Sequence, residues 1–201
     1  RDLETSDSHG GKGFREFKPS GFSADGDAIE FLESFKGDDV DLVCLGPLTK
    51  IARCLDQSSS FLEKFAKVPI IGGAFNVSGN VTPSAEFNFC CDPEAADKVL
   101  TAEGEKFLVP LDVRRKVRVE GEFFQNSEFL KKLVKPYTRY CNEEESTSPV
   151  MYDPVAMVLS PKPRTGDYTE EKLSVMSSEC RGKLIKNSAG NQSKMFTRIA
   201  R

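Results

Sequence analysis

The chain has 201 residues, 38% of them hydrophobic and 29% charged, which is enough apolar matter for a core and too much for a disordered segment. Twenty-eight Lys and Arg against 31 Asp and Glu leave a net charge of −3, without the broad positive field of a non-specific nucleic-acid binder. No apolar run approaches the roughly 20 residues of a membrane span, and the first ten residues are polar, so neither a membrane partner nor a secretory leader is expected. The six cysteines (44, 54, 90, 91, 141 and 180) make no CxxC pair, which excludes a zinc ribbon and favours reduced thiols in the cytoplasm. The size fits a single domain over 1–201. The chain opens at Arg1 without Met, so this domain is expected to be incomplete at its N-terminus and also at its C-terminus.

The first 24 residues read as loop. Ala28, Ile29, Phe31, Leu32 and Phe35 recur at helical spacing and predict a helix over 27–36. Asp41–Leu45 (DLVCL) reads as a buried strand that stops at Gly46-Pro47. Helical spacing returns over 48–55 and continues over 61–65. Val68–Ile71 (VPII) predicts a second buried strand, stopped by Gly72-Gly73. Asp92-Pro93-Glu94 opens a helix, with Asp92 as cap, Pro93 in the first turn and Glu94 favoured by the dipole. Lys106–Leu111 (KFLVPL) is a third strand ending at Asp112. Alternating strands and helices imply right-handed crossovers and a Rossmann-like, mostly parallel α/β sheet with helices on both faces. Chemistry in such folds lies beyond the carboxyl ends of the strands, here Leu45-Gly46, Gly72-Gly73 and Leu111-Asp112. Further on, 127–141 is expected to be helical, 153–159 forms a short helix entered through Asp153-Pro154, and 171–186 forms a hairpin.

The informative stretch is 72–94, GGAFNVSGNVTPSAEFNFCCDPE. About twenty residues between a strand and the next helix exceed an ordinary α/β connection, which points to a functional loop. Asn76, Asn80, Glu86 and Asn88 combine one carboxylate with several amides, a set suited to vicinal hydroxyls because each amide both donates and accepts. The plainer alternative is that these residues satisfy loop backbone, as Asn often does.

This segment, with GPLT at 46–49 and YDPVA at 152–156, closely resembles the inosine-uridine preferring nucleoside hydrolase family. The resemblance runs from about His9 to Gly182. It implies cleavage of the N-glycosidic bond of ribonucleosides by a calcium-activated water, in a homo-oligomer (dimer or tetramer). It assigns Asn80, Glu86 and Asn88 to the ribose hydroxyls, with Asn76 beside them. It makes Asp153 a calcium ligand and Leu45 a second one through its backbone carbonyl. His9, in HGGKGF, matches a loop whose His lies beside the substrate. Such chemistry is coherent, because an oxocarbenium-like ribose is stabilised by nearby carboxylates and calcium takes hard oxygen ligands.

The chain departs from the family in three places. The aspartate-rich motif D-x-D-x-x-x-D-D, which supplies most calcium ligands and the general base, is absent from these 201 residues. The chain is therefore either part of a longer hydrolase or a non-catalytic relative that binds a nucleoside or another subunit. Tyr152 stands where many members have His, and either stacks on the leaving base or donates a proton to it. Arg114-Arg115-Lys116, after LDV, stands where the family usually has Thr and then His, and reads as a solvated basic loop without a role. A dinucleotide enzyme is excluded, because no G-x-G-x-x-G follows a strand.

Overall fold

The computed structural model describes residues 26–35, 39–132, 150–159 and 166–199. The chain forms two compact units. One comprises 26–114 and 152–201, and the other comprises 1–25 and 115–151. In the smaller unit, the described residues form a 3₁₀ helix at Gly121–Asn126, a helical run at 128–132 and a bridge from Arg118 to Val150. The remainder of the helix expected over 127–141 lies outside the described residues.

The larger unit is built on a five-stranded sheet. Its strands are β1 (Val68–Ile71), β2 (Lys106–Val109), β3 (Gly166–Val175), β4 (Leu184–Lys186) and β5 (Gln192–Ile199), in the order β1-β2-β5-β3-β4. β1, β2 and β5 run parallel, whereas β3 is antiparallel to both β5 and β4. Every residue of β1 and β2 is buried, as strands covered on both faces must be, and the apolar runs Val68–Ile71 and Phe107–Val109 make them readable. The expected 171–186 hairpin is β3 with β4. The sheet is therefore mixed α/β, with a parallel part that carries the site.

Segment 41–45 departs from the expected buried strand. It lies along β1 through Leu42 N–H to Lys67 O, Cys44 N–H to Pro69 O and Ile71 N–H to Cys44 O, and only two isolated bridges form. Leu45 is 40% exposed. The helices follow their local signals. Asp27 caps α1 (Ala28–Ser34), and α2 (Thr49–Gln57) buries Ile51, Ala52, Cys54 and Leu55. The expected continuation over 61–65 is instead a separate 3₁₀ turn at Phe61–Lys64, set off by Ser58–Ser60. Helix α3 (Phe87–Cys91) precedes α4 (Pro93–Thr101), whose cap is Asp92, with Pro in the first turn. α4 is fastened to β3 where Asp97 accepts hydrogen bonds from Ser174 Oγ and the Val175 amide. A one-turn helix, α5 (Leu111–Arg114), follows β2, and α6 (Tyr152–Leu159) follows later.

Lys106 opens β2 with 1% exposure, and its ammonium donates to the carbonyls of Ala102 and Gly104 just past α4. Burial pushes its pKa down to about 8. The unfolded chain, with an ordinary lysine, then holds more protons than the folded one above pH 8. Stability is therefore expected to rise with pH from about 8 to 10, by on the order of 1–3 kcal/mol. Urea unfolding of the parent and of Lys106→Met at both ends of that window checks this. Equal slopes in the two proteins would remove Lys106 as the cause.

Candidate functional site

The site is built where β1 ends. Gly72 has no room for a side chain, since a Cβ there would lie 2.0 Å from the ring of Phe89, and Gly73 takes a φ of +76°. The fully buried Phe89 packs against this bare backbone, which sets the start of α3 on the end of β1. Glu86 caps α3. One carboxylate oxygen accepts from the Phe89 amide at 3.3 Å and from the Gly73 amide at 3.0 Å, joining helix start to strand end.

The neighbouring amides are used in the same way. Asn80 Oδ1 accepts from the Phe87 amide at 2.9 Å, while Asn88 Nδ2 donates to Ile71 O at 3.1 Å and Leu45 O at 3.5 Å. Beyond β2, Asp112 accepts from the amides of Phe75 (2.9 Å) and Asn76 (2.7 Å). Glu86 and Asn88 are buried, whereas Asn76 and Asn80 keep exposed side chains. Asn80, Glu86 and Asn88 thus gather around the start of α3, at the carboxyl end of β1. The plainer alternative holds for their observed bonds, each of which satisfies backbone.

The second oxygen of Glu86 faces Arg114. Arg114 Nη2 lies 3.2 Å from Glu86 Oε1, and both side chains are 3% exposed. The pair is in ionic contact without hydrogen-bond alignment, and Arg114 Nε and Nη2 find no hydrogen-bond partner among the described residues. The guanidinium carbon lies 5.3 Å from the centre of the Tyr152 ring, so one cation touches both the loop and the start of α6.

This corrects the expectation of a solvated basic loop. Arg114 is a buried member of the site, Arg115 is half-buried and Lys116 is exposed. Asp112 was also missed as a site residue, although the end of its strand marked the place. Asp153 lies in the first turn of α6 with an exposed side chain. His9 falls outside the described residues. Among the described residues, no three His, Cys, Asp or Glu side chains cluster in a way that could hold a metal ion. No described helix is long and apolar enough to cross a membrane.

Residues 1–200 match the family model described as inosine-uridine preferring nucleoside hydrolase. The chain is 31% identical over 177 residues to uridine nucleosidase 1 of Arabidopsis thaliana, covering 82% of this chain and 52% of that protein. Among solved structures it resembles a plant nucleoside hydrolase (PpNRh1), with a TM-score of 0.86 and 25% identity over 99% of this chain and 71% of that one. A purine-preferring ribonucleoside hydrolase from Gardnerella vaginalis shares the fold, with a TM-score of 0.82 and 21% identity over 95% of this chain and 67% of that one. The chain spans about half the length of the curated relatives it matches along most of its own length.

Proposed function

Since the chain belongs to the inosine-uridine preferring nucleoside hydrolase family, whose members are N-ribosyl hydrolases, we propose that its protein cleaves the N-glycosidic bond of ribonucleosides to free base and ribose. In this reading, residues 72–94 form the sugar-binding wall. The observation that carries it is the placement of Asn80, Glu86 and Asn88 around one helix start at the carboxyl end of β1, in the order of the family's ribose-binding pattern. Asn76 and Asn80 face outward and would meet the hydroxyls, while Glu86 and Asp112 place negative charge behind a ribose that becomes cationic as the bond breaks. Tyr152 would adjoin the departing base, with Arg114 beside its ring. A cytoplasmic dimer or tetramer belongs to the same proposal.

The family's enzymes are metal-dependent, and calcium is the ion the resemblance implies. The described residues do not fit it. The Leu45 carbonyl already accepts one hydrogen bond, from Asn88 Nδ2 at 3.5 Å, Asp153 is the one carboxylate among the proposed ligands, and calcium calls for about six to eight oxygens. The buried Glu86–Arg114 pair favours a second reading, a relative that binds ribonucleosides without turning them over, because the guanidinium neutralises the carboxylate that should stabilise the ribosyl cation.

A reducing-sugar assay with uridine and inosine on the complete protein separates the two. Release from either supports hydrolysis, whereas saturable binding without release supports the second reading. Where release occurs, Tyr152→Phe should keep most activity if the ring stacks on the base, and should lose about 10²–10⁴-fold if the hydroxyl is the proton donor.

A further inference from the structure

Two of the places where the sequence departs from its family, Arg114 and Tyr152, touch in the structure, and both belong to the larger unit. The guanidinium lies over the Tyr152 ring, its carbon 5.3 Å from the ring centre, while Glu86 Oε1 lies 3.2 Å from Nη2. The side chains of Arg114 and Glu86 are both 3% exposed, so the cation is fixed in place. Its Nε and Nη2 atoms find no hydrogen-bond partner among the described residues, and the carboxylate and the electron-rich ring face compensate the charge. A guanidinium is a planar cation that keeps its proton and suits aromatic faces, so the contact does not depend on pH. Tyr152 opens α6 and is half-buried. With one ring face taken, a ligand can meet the other face or the hydroxyl edge.

We infer that Arg114 is a positioning residue for the nucleobase: it holds the Tyr152 ring by one face, so that the ring stacks through its other face on the base of a bound ribonucleoside. This rests on the proposed reading of Tyr152 as the neighbour of the base, and it concerns how the base is held, whether or not it is then released. Fixing the plane of a ring matters for stacking, since the gain is lost when the two planes are not parallel and close. Every base has a π-face, so such a platform takes purine and pyrimidine nucleosides alike. Arg114 acts through Tyr152 and is not itself placed against the substrate.

Uridine and inosine are titrated into the complete protein as parent, Arg114→Met, Tyr152→Leu and the double variant. Affinities are read by calorimetry, or as KM where the nucleoside is cleaved. Tyr152→Leu should weaken both nucleosides by about 10–100-fold, whereas Tyr152→Phe, which keeps the ring, should cost little. Arg114→Met should weaken both by about tenfold, and Arg114→Lys, which keeps a cation for the ring, should recover part of that loss. The double variant should bind no worse than Tyr152→Leu alone, because without the ring Arg114 has nothing to position. Losses that add in the double variant, or an Arg114→Met that binds like the parent, would overturn the inference. A Tyr152→Phe that loses as much as Tyr152→Leu would also overturn it, since the base contact would then belong to the hydroxyl. Should Arg114→Met fail to fold with Glu86 left charged and unpaired, the same cycle in a Glu86→Gln background decides, because no carboxylate is orphaned there. A parent that binds neither nucleoside counts against the proposed function, whereas uridine bound equally by parent and Arg114→Met counts against this inference alone.

Discussion

Glu86→Ala is expected to lower the unfolding free energy by about 3–5 kcal/mol, the usual cost of leaving a buried charge without its partner. The substitution strips Arg114 of its counter-charge and leaves the amides of Gly73 and Phe89 without their acceptor. It also removes the cap of α3. Urea denaturation gives the loss directly. Adding Arg114→Met should restore a large part of it, because the orphaned cation is then gone. If the double variant is as unstable as the sum of the single ones, the two side chains do not act as a pair. This bears on any activity assay. A loss of ribonucleoside hydrolysis in Glu86→Ala reports on catalysis only in a sample shown to be folded.

Gly72→Ala should cost a similar amount, about 3–5 kcal/mol, by overpacking. A Cβ at this position meets three atoms of the Phe89 ring between 2.0 and 2.7 Å. That ring is fully buried and has nowhere to go. If it is pushed aside, the Phe89 amide leaves Glu86, and the end of β1 separates from the start of α3. Thermal unfolding and the near-ultraviolet spectrum of the Phe side chains would report both effects. A variant that melts within a degree or two of the parent would mean that the loop relaxes more easily than its packing implies.

The parts of this fold that could be read in the sequence are those whose cause is local. Val68–Ile71 and Phe107–Val109 are short apolar runs buried on both faces, and an unbroken apolar run is visible without knowing its neighbours. Asp92-Pro93-Glu94 announced its helix because a cap and a first-turn proline act on adjacent residues. Glu86 and Asn88 could be picked out by residue type and order. Their bonds to Gly73 and to Ile71 could not, because these depend on how the loop folds back. Arg114 illustrates the limit. In sequence it begins a basic triplet, and its burial depends on a carboxylate 28 positions away that no local pattern links to it.

β5 was missed for the same reason. Gln192, Ser193, Lys194, Thr197 and Arg198 give it a polar character, and its apolar residues, Met195, Phe196 and Ile199, follow no strict alternation. Strand preference of this kind comes from the surrounding sheet more than from the residues themselves.

The position of β5 has a consequence for the order in which the sheet can be assembled. It is the last strand described in the chain, yet it lies in the middle of the sheet, between β2 and β3. During synthesis β1 and β2 can pair early, and the β3–β4 hairpin can form from neighbouring residues. The two halves then wait, with facing edges open, until residues 192–199 have emerged and can slide between them. Such a chain exposes two strand edges for as long as the last stretch is delayed, a condition that invites pairing with other chains. Nascent chains stalled before Gln192 would therefore depend on chaperones more than chains in which β5 has emerged, and removing β5 would unlink the hairpin rather than shorten an edge.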